Sequence, residues 1–526
     1  MVYVILGQTA SGKTSLALKL AREYHLPIIS ADAYQCYKMM QIGTDKPTEE
    51  MTKGIEYYFY DEYAPDVDMD VFTFQKKMRP ILEKYLDQGK DILVVGGTFL
   101  YIKALLFNYV FSQKENVSSI YYRSMDLETL QKTLEEKNGE IYHLIDNKNP
   151  RRLIRALEQI DEGKDRKKIL QENDNVPLYP TTFLAIDIDK EEGNSKIDKR
   201  IDDMFQKGIV DEVKRLLSLY PRTCHSFLAI GYKEIIQGLD EGKSQEEMKE
   251  LIKIHTHQYA KKQRTFLNHQ FDNIYRGTKE EIEQRIRTDI GFFQRTKILL
   301  KPKVLNKIRM ESCYFVGLGG VGGSAILSLL RLGIKDFVIQ DGDIVDVSNL
   351  NRQFLYTAKD ISRNKAEVAK ERLLEINPVC QVEEIDKQIE TEDDMTKRKC
   401  SLIIDCIDDC NAKVLLYEKA IRDKALYLTS MGAGFHIDST KLRLGSLKDA
   451  FDPLSKRFKE ALVEKGHSEE EFASIKVVYV TDAAIKGQKN SKLIGSISMV
   501  PNAAGLALAT YYLRTRREET TIDKGE

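Results

Sequence analysis

The chain has 526 residues, too many for one ordinary domain, with 42% hydrophobic and 31% charged residues. Its net charge of −1 excludes a globally basic nucleic-acid field, so any RNA-binding surface must be a local patch. No apolar run reaches the roughly 18 residues of a membrane span, and the opening MVYVILGQTASGK has no basic lead or cleavage site, so no signal peptide and a cytoplasmic location are expected.

In chain order, the first element is a strand, VYVILG at 2–7, running into a glycine loop and the helical SLALKLARE. The loop Gly7-Gln8-Thr9-Ala10-Ser11-Gly12-Lys13-Thr14 fits G-x-x-x-x-G-K-[ST]. Its glycines let backbone amides turn toward phosphate oxygens; Lys13 adds a charge and Thr14 can reach magnesium. Further strands are expected at IISAD (28–32), VVGG (94–97) and FLAIDID (183–189), with a polar, Lys- and Glu-rich helical insertion at 114–175. Residues 278–310 are charged and helical in pattern, reading as a junction with a boundary near 285. A second strand, CYFVGLGG at 313–320, opens another glycine loop, Gly317-x-Gly319-Gly320-x-Gly322, with Asp341 closing FVIQD about 20 residues on. Such a loop alone reads as a dinucleotide-binding start.

Two unlike strand–loop–helix starts predict an α/β chain of two different domains: 1–275, a linker at 276–292, and 293–526. The seven cysteines, at 36, 224, 313, 380, 400, 406 and 410, contain no C-x-x-C pair. They read as reduced thiols rather than zinc ligands.

Several segments of the first half resemble, in family order, the tRNA dimethylallyltransferases. They are IISADAYQCYKMMQIGTDKPT (28–48), GGTFLYIKALL (96–106), NPRRLIRALEQ (149–159), RIDDMFQKGIVDEVKRLL (200–217), AIGYKE (229–234) and THQYAKKQRTF (256–266). The resemblance implies a P-loop-type parallel sheet with a helical insertion. It also implies transfer of a dimethylallyl group from dimethylallyl diphosphate to the exocyclic amine of adenosine 37 in the tRNA anticodon loop. The leaving group is a polyanion, which the phosphate loop, Lys13 and magnesium at Thr14 would stabilise. Asp32 would accept the amine proton, and Thr98 would place a hydroxyl near the leaving oxygen. Gln35 would hold the flipped base. Arg151, Arg155, Lys261, Lys262 and Gln263 would contact tRNA, with Tyr259 and Phe266 interleaved for stacking. The chain departs from the family pattern at Ala33, His257, Lys262 and Phe266, and Lys190 is the nearest basic residue where an arginine follows the 183–189 strand.

In the second half, DGDIVDVSNLNRQFLY (341–356), Lys365 and DCIDD resemble the ThiF and ubiquitin-activating adenylating superfamily, which has a Rossmann-like α/β fold. That resemblance implies ATP bound by Gly317, Gly319, Gly320, Gly322, Asp341, Asn349, Gln353 and Lys365. Arg352 and Asp408 would be catalytic, with Asp408 holding magnesium. RTKILL (295–300), IDDCNAK (407–413), SMGAGFHIDSTKLRLGSLKDAFDPL (430–454) and GSISMVPNAAGLALA (495–509) resemble the tRNA threonylcarbamoyladenosine dehydratases within it. The implied reaction activates the threonyl carboxylate of threonylcarbamoyladenosine 37 with ATP and then closes a ring. The same family implies a homodimer through the C-terminal domain. Two other readings stand beside this one: a P-loop nucleotide kinase fused to a sulfur-carrier-protein adenylyltransferase, or one half serving as a non-catalytic tRNA-binding module.

Overall fold

The computed structural model describes residues 1–109, 121–122, 124–161, 163, 176–271, 273–485 and 494–522. The chain divides into two compact units. One comprises Val2–Lys84 and Asp91–Lys279; the other comprises Glu280–Glu526 with Met1 and Tyr85–Lys90.

The first unit is a six-stranded sheet. Its strands are β1 (Val2–Leu6), β2 (Ile28–Ser30), β3 (Tyr57–Tyr58), β4 (Ile92–Val95), β5 (Thr181–Ile186) and β6 (Ile274–Gly277). They lie in the order β3-β2-β4-β1-β5-β6, all parallel. A parallel sheet is covered on both faces, so its central strand needs no polar alternation. β1 accordingly reads VYVIL and is buried along its whole length. Val4 sits beside Val94 on one side and Phe183 on the other. The loops after β1, β2 and β4 therefore emerge together at the carboxyl edge, where open α/β sheets bind ligands.

The described part of the insertion is helical, as its periodicity predicts. Helices Leu127–Leu144 and Pro150–Asp161 share an apolar cluster that includes Leu130, Leu134, Leu153 and Leu157. The rest of the segment, 114–120, 123, 162 and 164–175, lies outside the described residues. Residues 276–292, expected as a linker, are regular structure. β6 runs to Gly277 and a helix follows at Lys279–Phe292, burying Ile282, Ile286 and Ile290. That spacing is an amphipathic stripe inside a charged sequence.

The second unit has a seven-stranded sheet: β7 (Ser312–Val316), β8 (Asp336–Gln340), β9 (Gln381–Ile385), β10 (Leu402–Asp405), β11 (Leu426–Ser430), β12 (Leu442–Ser446) and β13 (Lys476–Val480). The order is β12-β13-β11-β10-β7-β8-β9, with only the β12–β13 pair antiparallel. Phe315, Phe337, Ile404, Leu428 and Tyr512 belong to its main core. Helix Gly320–Leu332 packs so closely on helix Met499–Ile522 that a Cβ at Gly505 would stand 2.2 Å from the Val321 carbonyl oxygen. Beneath the sheet edge, Lys413 and Asp405 form a fully buried pair at 3.0 Å. Lys413 also donates to Thr429 Oγ1 and the Ser430 carbonyl, while Tyr427 and Thr429 donate to Asp405. Among the described residues, no helix is long and apolar enough to cross a membrane.

Candidate functional site

At the end of β1 the chain turns through Gly7, with φ +149°, and Gly12, with φ +84°. A Cβ on Gly7 would meet Ser11 Oγ at 2.7 Å, so the tight turn requires glycine there. Helix Lys13–Tyr24 then starts with its amides toward the loop. Lys13 is buried and donates from Nζ to the Gln8 carbonyl at 2.6 Å. Burial, with the positive charge of Arg200 beside it, pulls its pKa down to about 7.

Three residues from distant elements brace this loop. Arg200, on helix Lys190–Gln206, donates from Nη1 to Thr9 Oγ1 at 2.7 Å. Gln263, on helix Gln245–Gln270, accepts from the Thr9 amide at 2.8 Å and donates to the Gly97 carbonyl at 3.0 Å. Arg264 donates to Gln8 Oε1. Arg200 was not among the residues assigned from sequence, although it opens the RIDDM segment. The signal was its place beside the buried stripe of Ile197, Ile201 and Met204.

Asp32 and Thr98 follow the neighbouring strands β2 and β4. Asp32 Oδ1 accepts from the amides of Tyr34 and Gln35, at 2.9 and 3.2 Å. Its Oδ2 has no hydrogen-bond partner among the described residues. Thr98 Oγ1 accepts from the Ala33 amide at 3.2 Å, tying the two strand ends together. The same closeness makes Gly96 obligatory, because a Cβ there would stand 2.2 Å from the Ala31 carbonyl oxygen. A cavity of about 1140 Å³ is lined by Thr9–Thr14, Asp32, Gln35, Gly97, Arg200, Tyr259 and Gln263, among others. Thr98 braces its wall rather than lining it. Gln35 reaches the cavity with its amide bonded to the Thr44 carbonyl at 3.2 Å.

The residues expected to contact tRNA fall into three groups. Lys261 and Lys262 are exposed on helix Gln245–Gln270. Arg155 lies in the insertion, 3.4 Å from Glu158, while the Arg151 side chain lies outside the described residues. Gln263 needs correction: it is 4% exposed, and both ends of its amide are used within the protein. Phe266 is likewise a packing residue, stacked on Phe99 at 5.5 Å and near Phe271 at 6.2 Å. Tyr259 instead reaches the cavity and donates to the Gly97 carbonyl at 3.3 Å.

In the second unit, Gly317 (φ +87°) begins the turn after β7, and a Cβ on Gly322 would lie 1.8 Å from its carbonyl oxygen. Asp341, at the end of β8, accepts from the amides of Leu318 and Asp343 at 2.7 and 2.9 Å. Burial raises its pKa, and nearby Lys365 opposes the rise. Lys365 is 2.7 Å from Asp343. These residues line a cavity of about 780 Å³ together with Gly317, Gly319, Gly320, Arg352, Gln353 and Asp408. Gln353 is buried and its Oε1 has no partner among the described residues, leaving an acceptor free at the cavity wall. Asp408 is exposed and makes no hydrogen bond to a described residue. Asn349 is corrected in position: it does not line the cavity, and its side chain accepts from the Asp346 amide at 3.2 Å within its own turn. Cys406 is half-buried, and desolvation pushes its thiol well above the ordinary range, which disfavours a thiolate beside Asp408.

The IPP transferase family matches residues 35–270, and the ThiF family matches residues 293–517. The tRNA dimethylallyltransferase of Acetivibrio thermocellus is 36% identical over 297 residues, covering 54% of this chain and 93% of that protein. A crystal structure of tRNA delta(2)-isopentenylpyrophosphate transferase from Staphylococcus epidermidis is 31% identical and covers 55% of this chain and 98% of that one, with a TM-score of 0.41. A crystal structure of the E. coli tRNA N6-threonylcarbamoyladenosine dehydratase is 29% identical and covers 44% of this chain and 96% of that one, also with a TM-score of 0.41. The chain belongs to the tRNA dimethylallyltransferase family and carries a ThiF-family region after it.

Proposed function

We propose that the first unit transfers a dimethylallyl group from dimethylallyl diphosphate to the exocyclic amine of adenosine 37 in tRNA. The observation that carries this reading is one cavity holding an anion cradle and a carboxylate oxygen with no partner among the described residues. Lys13, Arg200 and the loop amides hold the diphosphate as its C–O bond breaks. Asp32 Oδ2 accepts the amine proton as the C–N bond forms. The Thr14 hydroxyl lines the cavity without a described partner, which suits a magnesium ion bound mainly by phosphate oxygens and water. When bound, that ion would add positive charge beside the leaving diphosphate. Lys261, Lys262 and Arg155 are the exposed or half-exposed cations that fit tRNA backbone contact.

In the second unit, the proposed reaction is ATP-dependent cyclisation of threonylcarbamoyladenosine 37. The glycine turn, Asp341, Gln353, Lys365 and Arg352 suit ATP, and Asp408, without a hydrogen-bond partner among the described residues, suits its magnesium. Exposed Ile344, Val347 and Phe354, each 60–63% exposed, support a homodimer through this unit. The proposed location is the cytoplasm.

The test incubates the full chain with unmodified or threonylcarbamoylated anticodon stem-loops, dimethylallyl diphosphate or ATP, and magnesium, followed by nucleoside mass spectrometry. Prenylated adenosine that Asp32→Ala lowers about 10²–10⁴-fold, and cyclised product that Asp408→Ala abolishes, are expected. Phosphoryl transfer to a nucleotide with no prenylation would overturn the first reading. Adenylation of a carrier-protein tail, with no effect on RNA, would overturn the second.

A further inference from the structure

At the wall of the second cavity, His436 pairs with Asp482 behind it, and no role above uses either side chain. His436 Nδ1 is 2.8 Å from Asp482 Oδ1, and the His436 side chain is only 5% exposed. With Nδ1–H donated to the carboxylate, the ring is held in the tautomer whose Nε2 carries a lone pair. That nitrogen has no partner among the described residues, and His436 is a wall residue of the cavity.

Strand order fixes where this pair stands relative to the nucleotide cradle. The cradle follows β7 and β8, Asp408 follows β10, His436 follows β11, and Asp482 follows β13. In the sequence β13-β11-β10-β7-β8, the loop bearing Asp408 lies between the cradle and the histidine. An α-phosphate held beside Asp408 would thus have the nucleotide cradle on one side and the His436 loop on the other.

Backbone bonds also hold this loop. The Phe435 amide donates to Gly495 and the Ile485 amide donates to Phe435, both at 2.7 Å, so backbone bonds already fix the segment. Phe435 also adopts φ +62°, a costly conformation for a bulky residue, immediately before the histidine. Strain of this kind is kept where the surrounding structure must aim a side chain.

We propose that His436, oriented by Asp482, is the proton acceptor for the ring closure of the second unit. The proposal rests on the cyclisation reading given above. In the step, a carbamoyl heteroatom bonds to the acyl carbon of the threonyl adenylate. The bond from that carbon to the AMP oxygen breaks, its electron pair leaves with AMP, and the attacking group's proton passes to His436 Nε2. Asp482 acts as a positioning residue that stabilises the imidazolium formed.

The experiment uses the full chain, threonylcarbamoylated tRNA and ATP with magnesium. Two readouts are followed: tRNA-dependent ATP–pyrophosphate exchange, and single-turnover formation of the cyclised nucleoside. His436→Gln should lower ring closure about 10²–10³-fold, with the loss falling on closure rather than on exchange, so that acyl-adenylate accumulates. Asp482→Asn should show the same split to a smaller extent, and added imidazole should partly restore His436→Ala. ATP affinity of each variant reports an intact fold. A His436→Gln enzyme that closes the ring at the parent rate, or one that loses exchange and closure equally, overturns the assignment. A parent chain with neither exchange nor closure overturns the cyclisation reading, and the assignment with it.

Discussion

Arg200 donates to Thr9 Oγ1 at 2.7 Å although 191 residues separate them, placing a guanidinium over the turn that would receive the diphosphate. It also lies 3.4 Å from Asp45, so its charge is partly paired in the free protein. A bound diphosphate competes for that charge and gains a strong, charge-assisted contact. Replacing Arg200 with Ala should weaken inorganic pyrophosphate binding about tenfold to a hundredfold, the equivalent of about 1.5–3 kcal/mol for a hydrogen bond to a charged group. Arg200→Lys should recover only part of this, because one ammonium cannot reproduce the planar fork. Titration calorimetry with pyrophosphate measures both.

The pKa of Lys13 makes diphosphate binding a proton-linked event. Burial and Arg200 lower it to about 7, so at pH 8 the free protein holds this lysine largely neutral. An anion in the loop favours the ammonium and raises the pKa, so binding takes up a proton. The sign is fixed: affinity is greatest below pH 7 with respect to this group. It should fall toward tenfold per pH unit above pH 7, until the pKa of the bound state is reached. Calorimetry at pH 8 in buffers of different ionisation enthalpy should register the uptake. Lys13→Arg, charged throughout, should bind without it.

The phosphate loop, Asp32 and the parallel sheet were legible because each depends on local order: apolar runs, glycines at fixed spacing, and a strand end. What was not legible depends on which way a helix faces. Helix Gln245–Gln270 carries Lys261, Lys262, Gln263 and Phe266 in six consecutive positions, and sequence alone suggested one RNA-facing strip. In the fold, the turn of the helix sends the lysines outward, Gln263 under the loop and Phe266 against Phe99. Arg200 was missed for the same reason, since its partner Thr9 is brought to it only by tertiary packing. In the second unit, the glycines and Asp341 were found by spacing. His436 was not, because its partner arrives from another strand end.

Gln263 joins two loops, so its removal should act on stability before chemistry. It satisfies the Thr9 amide and the Gly97 carbonyl together, from a buried position. Gln263→Leu leaves the Thr9 amide without that partner while the Gly97 carbonyl keeps Tyr259, so the cost is about 1–3 kcal/mol for the one group left unpaired. Thermal unfolding of the first unit should shift downward. Bound pyrophosphate should recover part of the shift, because it rigidifies the same loop.

Lys413 and Asp405 offer the sharpest contrast between removing a charge and removing a pair. Both side chains are fully buried, and Asp405 accepts from Tyr427 and Thr429 as well as from the lysine. Lys413→Met therefore leaves a buried carboxylate with three neutral donors, the third being the Ile407 amide, and no cation, which should destabilise the second unit by about 3–5 kcal/mol. Adding Asp405→Asn to Lys413→Met removes the stranded charge and should recover a large part of that loss. Denaturant unfolding, followed by loss of ATP binding so that only the second unit is read, distinguishes the two. A Lys413→Met variant as stable as the parent would overturn this prediction.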